Sequence, residues 1–188
     1  MKRFILGLFF LLNLIINANS SEIISQIETN WNQITTMSGH FKQEDSDGIV
    51  LYGNFYFLKP YQSKFSYKDR SENIITNESL LVIVDNDDYK IESYAIGSNI
   101  LKKLLSNNLS INEQFDIIDF KNANKEYILQ LRIKNNDDNQ INISFDKNNL
   151  DIKKWEIYDE FQNKTVLEFT KIKKNIFISQ NLFVVKYN

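Results

Sequence analysis

The sequence predicts a mainly β fold of the α+β class: an antiparallel sheet, curved into an unclosed barrel, with short helices laid across its concave side. Three observations predict it. Most of the chain alternates apolar and polar residues with period two, the pattern of strands with one buried face. Two segments instead repeat apolar residues at helical spacing. The second of these divides the strands into two groups, and no linker or internal repeat marks a second domain.

In chain order, Lys2 and Arg3 precede an apolar run from Phe4 to Ile16 and a small-x-small exit at Ala18-Asn19-Ser20. This reads as a secretory signal peptide over 1–20, cut between Ser20 and Ser21. The run is too short for a bilayer span, which needs roughly 20 apolar residues. A single domain over 21–188 would remain. Loss of Lys2 and Arg3 leaves 20 basic against 24 acidic residues, a net charge of −4 in place of −2. That balance excludes nucleic acid, which needs clustered cations. Cysteine is absent. The fold must therefore rest on its core without disulfides, there is no site for N-terminal lipidation, and the mature protein is expected free in the periplasm as a monomer.

From Glu22 to Ile34, Ile23, Ile24, Ile27, Trp31 and Ile34 form one apolar stripe, which predicts an amphipathic helix. A second, shorter helix is expected over Asn99–Ser106, capped by Ser98 or Asn99. There Ile100, Leu101, Leu104 and Leu105 share a face while Lys102 and Lys103 point away. Strands are expected near 37–44, 49–59, 63–68, 72–76, 80–84, 89–95, 114–120, 126–134, 140–145, 151–159, 164–172 and 182–185. The alternation is clearest in Tyr127, Leu129, Leu131 and Ile133 and in Ile141, Ile143 and Phe145, and it continues through Trp155 and Ile157. The strand at 49–59 departs from it: Leu51, Phe55 and Phe57 lie on one face, Val50, Tyr52, Tyr56 and Leu58 on the other. Either the strand is buried on both sides or one face lines a cavity. With 5 Gly and 1 Pro among 188 residues, the turns must come from Asn and Asp, which tolerate positive φ. Runs at 86–88, 135–139 and 146–149 fit.

Catalytic chemistry is scarce. One His and no Cys cannot assemble an ordinary zinc site, and no glycine-rich phosphate loop occurs. His40 reads as an edge or surface residue of its strand, without an orienting partner. The carboxylate pairs Asp87-Asp88 and Asp159-Glu160 fall in turns, where charge is solvated. No enzyme, metal or cofactor is expected.

Several motifs, in order, resemble a known family. Met37-Ser38-Gly39-His40-Phe41-Lys42-Gln43, then Gly53-Asn54-Phe55-Tyr56-Phe57-Leu58-Lys59-Pro60, then Phe65-Ser66-Tyr67, are similar to the front half of the outer-membrane lipoprotein carriers of the LolA type. Leu150 to Trp155, Asp159 and Thr165-Val166-Leu167 resemble its second half. The resemblance implies an unclosed barrel of about eleven strands with a helical lid over an apolar cavity. It implies a task as well: taking the acyl chains of lipoproteins from an inner-membrane ABC transporter and delivering them to an outer-membrane receptor. On this reading Ile27, Trp31, Phe41, Phe55, Phe57, Phe65, Leu101, Leu104, Leu105, Leu129, Leu131, Ile143 and Trp155 belong to the cavity or lid. Lys59, before Pro60, stands where the family carries a basic residue near the mouth and is expected to latch the lid. The chain departs from the family in having Lys59 for Arg, Asn77-Glu78 for a common Asp-Gly, Gln162-Asn163 for a Gly, and no Pro-rich tail after Phe183. Three other readings share the export signal. A binding protein for another apolar ligand, such as a glycolipid, would use the same half-barrel. A receptor of the same fold would need the missing lipidation Cys, and a membrane barrel would need strands of ~9–11 residues throughout.

Overall fold

The computed structural model describes residues 20–85, 87, 90–96, 99–135, 140–158, 161 and 163–185. The expected signal peptide before Ser20 lies outside them. So do Ser98, the Asp159-Glu160 pair, Asp88, Gln162 and most of the turns expected at 86–88 and 135–139.

The first helix, α1, covers 20–32 in the described chain. Its buried residues Ile23, Ile24, Ile27 and Trp31 are the stripe that the spacing predicts, and Ile34 is buried just beyond its end. Eleven strands follow the expected segments: β1 (Thr36–Glu44), β2 (Val50–Leu58), β3 (Gln62–Tyr67), β4 (Glu72–Thr76), β5 (Leu80–Asp85), β6 (Lys90–Ala95), β7 (Phe115–Asn122), β8 (Glu126–Ile133), β9 (Gln140–Asp146), β10 (Ile152–Tyr158) and β11 (Lys164–Lys174). Between β6 and β7 stand α2 (Ile100–Leu104) and a one-turn helix, α3 (Ile111–Gln114), which periodicity did not reveal. The twelfth strand expected at 182–185 does not form. Its segment instead holds a 3-10 helix, Gln180–Phe183, whose Ser179 side chain accepts from Asn181 N.

All strands join one antiparallel sheet in the order β6-β5-β4-β3-β2-β1-β11-β10-β9-β8-β7. Successive strands pair within β1–β6 and within β7–β11, and the two runs join at the middle, where β1 takes the last strand as its second partner, with Met37 opposite Lys174 and Glu44 opposite Val166. His40 is therefore half-buried in the central strand, opposite Asn54 and Thr170, and not at an edge. The two ends, β6 and β7, do not pair with each other. A membrane-spanning barrel must close, so that reading does not fit this sheet.

The concave face and the helices share one apolar core. In β2, Gly53, Phe55 and Phe57 are buried whereas Val50 and Tyr52 are exposed and Tyr56 and Leu58 half-buried. The strand is thus buried on one side only. Phe57 stacks on Trp155 at 5.7 Å, and Phe55 and Trp155 each meet Phe169 edge-on at 4.9 Å. Aromatic pairs of this geometry add about 0.5–1.5 kcal/mol each beyond their burial.

Asn and Asp do shape the turns, mostly by accepting backbone N–H groups through their side chains. Asp45 Oδ1 takes Asp47 N and Ile49 N, and Asn77 Oδ1 takes Ser79 N and Leu80 N. Positive φ occurs at Asn135 and Asn175, but also at Tyr61, Leu150 and Lys171, against expectation. On the convex face a small second core forms. The cross-strand partners Ile75 and Val82 are buried there, and the C-terminal segment brings the 3-10 helix against β3 with Phe183 buried.

Candidate functional site

The cavity lies between α2 and the sheet. It has a volume of about 200 Å³ and is lined by Gln43, Phe65, Tyr67, Ile74, Leu81, Asn99, Ile100, Leu101, Leu104, Ile141, Trp155, Ile157 and Leu167. A second, much smaller void under α1, of about 10 Å³, touches Ile27, Trp31, Leu129, Leu131 and Ile143, with Leu104 and Trp155 common to both. Of the residues that the sequence assigned to cavity or lid, Phe65, Leu101, Leu104 and Trp155 line the larger space. Ile27, Trp31, Leu129, Leu131 and Ile143 line the smaller one. Phe41, Phe55, Phe57 and Leu105 border neither and are solid core. Ile141, Ile157 and Leu167 were missed as lining residues, although their alternation already placed them on the same face as Ile143, Trp155 and Phe169. Gln43, Tyr67, Ile74 and Leu81 were missed too, because polar or ordinary strand residues give no sequence sign of bordering a void.

The two helices form one cover. Asn99 caps α2 by accepting from Leu101 N at 2.7 Å. Trp31 of α1 donates its indole Nε1–H to Leu104 O at 2.7 Å. Asn32 exchanges two bonds of 2.8 Å with Leu109, and Glu28 accepts from Ile111 N at 2.8 Å. These bonds tie α1 to the end of α2, to the loop after it and to the first residue of α3. Lys102 does not simply point away: its Nζ lies 5.8 Å from the Tyr61 ring centroid, and Tyr61 N donates to Leu105 O at 2.8 Å. The β2–β3 turn is thereby fastened to the end of α2.

Lys59 belongs to the same turn. Its Nζ donates to Trp31 O at 2.7 Å and sits 5.1 Å from the Trp31 ring centroid. The Trp31 carbonyl is in the last turn of α1, where it also accepts from Ile34 N at 3.2 Å and the helix dipole favours a cation. Burial pushes the pKa of the Lys59 ammonium down to about 8. Pro60 follows it through a cis peptide and lies on the outer surface beside Tyr61.

Ser20 and Ser21, the expected cleavage point, stand at the described start of α1 and border a surface groove with Ile24, Asn112 and Phe120. Among the described residues no group of three or more His, Cys, Asp or Glu is arranged to hold a metal ion, and no helix is long and apolar enough to cross a membrane.

A family model described as outer membrane lipoprotein carrier protein LolA matches residues 32–186. An uncharacterized protein of Rickettsia prowazekii (strain Madrid E) is 26% identical over 172 residues, spanning 90% of this chain and 79% of the relative. Among solved structures, an uncharacterized conserved protein from Thermus thermophilus superposes with a TM-score of 0.52 at 10% identity, over 88% of this chain and 92% of that one. A Vibrio parahaemolyticus domain assigned to outer-membrane lipoprotein sorting gives a TM-score of 0.51 at 11% identity, over 88% and 96%. At such identities the two structures speak to fold alone.

Proposed function

Because the chain belongs to the LolA family of outer membrane lipoprotein carriers, we propose that it is a periplasmic carrier that shields the acyl chains of lipoproteins and delivers them to an outer-membrane receptor. The observation that carries this reading is the apolar cavity beneath a hydrogen-bonded helical cover. Each methylene withdrawn from water contributes about 0.8 kcal/mol, so an acyl chain gains most of its binding from such a space without directional bonds. A volume of about 200 Å³ falls below the ~300–1,000 Å³ usual for ligand pockets. A long acyl chain therefore needs more room than this space offers, which α2 would give by moving aside. Lys59, bonded to α1 at Trp31, is the latch. Its partners are an inner-membrane ABC transporter that loads the carrier and a receptor that unloads it.

The test is to isolate the protein from its native envelope and identify what copurifies by mass spectrometry. Acylated lipoprotein N-termini support the carrier reading. Glycolipid in their place would make the protein a binder of another apolar ligand. Recovery empty, with no uptake of a hydrophobic fluorophore, would remove the carrier reading altogether.

A further inference from the structure

Resting on that reading, we infer that the cavity selects acyl esters and amides over bare hydrocarbon, and that Gln43, oriented by Tyr67, is the residue that recognises the ligand's carbonyl oxygen. The polar groups of an otherwise apolar wall all have their side-chain carbonyl acceptors occupied. Tyr67 donates its hydroxyl to Gln43 Oε1 at 2.8 Å. The Asn99 carboxamide oxygen is used in capping α2 through Leu101 N. What these two amides have left is donors: the Gln43 Nε2 and Asn99 Nδ2 groups have no partner among the described residues. Trp155, on the same wall, has its indole Nε1–H buried without an acceptor.

A wall whose spare valences are N–H groups is matched by a ligand atom that only accepts. An ester or amide carbonyl has two lone pairs to offer such donors, whereas an alkane has none. Tyr67 supports the geometry from the side. It is half-buried, packs edge-on against Phe41 with ring centroids 5.3 Å apart, and burial pushes its hydroxyl pKa up to about 12, so it stays a donor throughout the physiological range. Holding Gln43 by its oxygen leaves the carboxamide nitrogen as the end free to meet a ligand. Gln43 thereby fixes the depth at which the acyl chain stops, with the hydrocarbon inside and the linkage at the rim.

The experiment is competition against a bound hydrophobic fluorophore, using methyl laurate and tetradecane, two probes of similar length that differ in the ester. Because the two extra apolar carbons of tetradecane themselves favour it, the quantity read is the ester-to-alkane affinity ratio of the parent set against that of each variant, in which one net hydrogen bond is worth about threefold to tenfold. Gln43→Leu should lower that ratio by about threefold to tenfold, and Tyr67→Phe should lower it in part by freeing the Gln43 side chain. An ester-to-alkane ratio that Gln43→Leu leaves as in the parent overturns the inference while the carrier reading stands. Failure of both probes to displace the fluorophore from the parent overturns the cavity reading and the inference with it.

Discussion

Lys59 carries a charge where charge is disfavoured, and this gives the proposed latch a pH signature. Burial lowers its pKa to about 8 from an ordinary 10.5. Below about 8 both folded and unfolded chains hold the proton, and the desolvation cost is fully present. Between about 8 and 10.5 the unfolded chain holds a proton that the folded one has released, so stability rises with pH. Lys59→Leu has no such term. Thermal melts of the two proteins from pH 7 to 10 should therefore shift in the parent's favour, and the variant should take up fluorophore more readily at pH 7; a pH-independent difference would mean a fully hydrated ammonium. The position of Lys59 was legible, as a cation closing an apolar strand before the only Pro. Its acceptor was not, since a backbone carbonyl has no sequence signature. Gly53 shows the reverse. The resemblance marked it, but only the structure gives the reason: a Cβ there would fall on the Ser66 carbonyl and the Phe41 ring. Gly53→Ala should cost about 1–3 kcal/mol in chemical denaturation, as overpacking does.

At the scale of elements, α2 is too short to stand alone, since isolated helices below ~12–15 residues are marginal. Its cap, its bond from Trp31 and its seat on the Tyr61 turn hold it. Leu101 borders the cavity, whereas Lys102 rests on an outer ring. Leu101→Asp should weaken fluorophore binding by at least about tenfold, because a carboxylate facing an apolar space is costly to desolvate. Lys102→Asp should change it little, and equal losses would show that α2 is not a lid. The apolar face of α2 was readable from spacing, and its cap was narrowed by chemistry to Ser98 or Asn99, of which the structure has Asn99. The four residues of α3 were not, because one turn is too short to display a period. The segment at 182–185 misled for a related reason. Its apolar residues suggested a strand, yet no unpaired neighbour was left in the middle of the sheet to receive one, and Phe183 instead anchors a 3-10 turn on the convex face.

For the molecule as a whole, strand order follows chain order in each half, so the short connections between successive strands already implied who pairs with whom there. What alternation does not encode is the joint between halves. The C-terminal segment helps to fix that joint: Asn175 accepts from Thr35 N at 2.9 Å and donates to Gln33 O at 3.2 Å, and Thr36 Oγ1 donates to Ile176 O at 2.7 Å. Phe183 then fastens the same segment over β3. Phe183→Ala should cost about 3 kcal/mol of global stability by denaturant titration, the order of a buried Phe truncation. A loss confined to local fraying would mean that the segment is an appendage.

The pairing of β1 with β11 also has a meaning in time. The chain makes β1 early and β11 last, so one edge of β1, with Phe41 on it, waits unpaired while everything between is synthesised. Long-range pairing of this kind is slow to form, and an open edge is a site for adhesion to other chains. Phe169→Leu, on the late partner, should accordingly slow refolding in stopped-flow measurements, whereas Val82→Ala, inside the local meander, should mainly speed unfolding. Until that seam shuts, the newborn protein has the same need of shelter that we propose it meets for others.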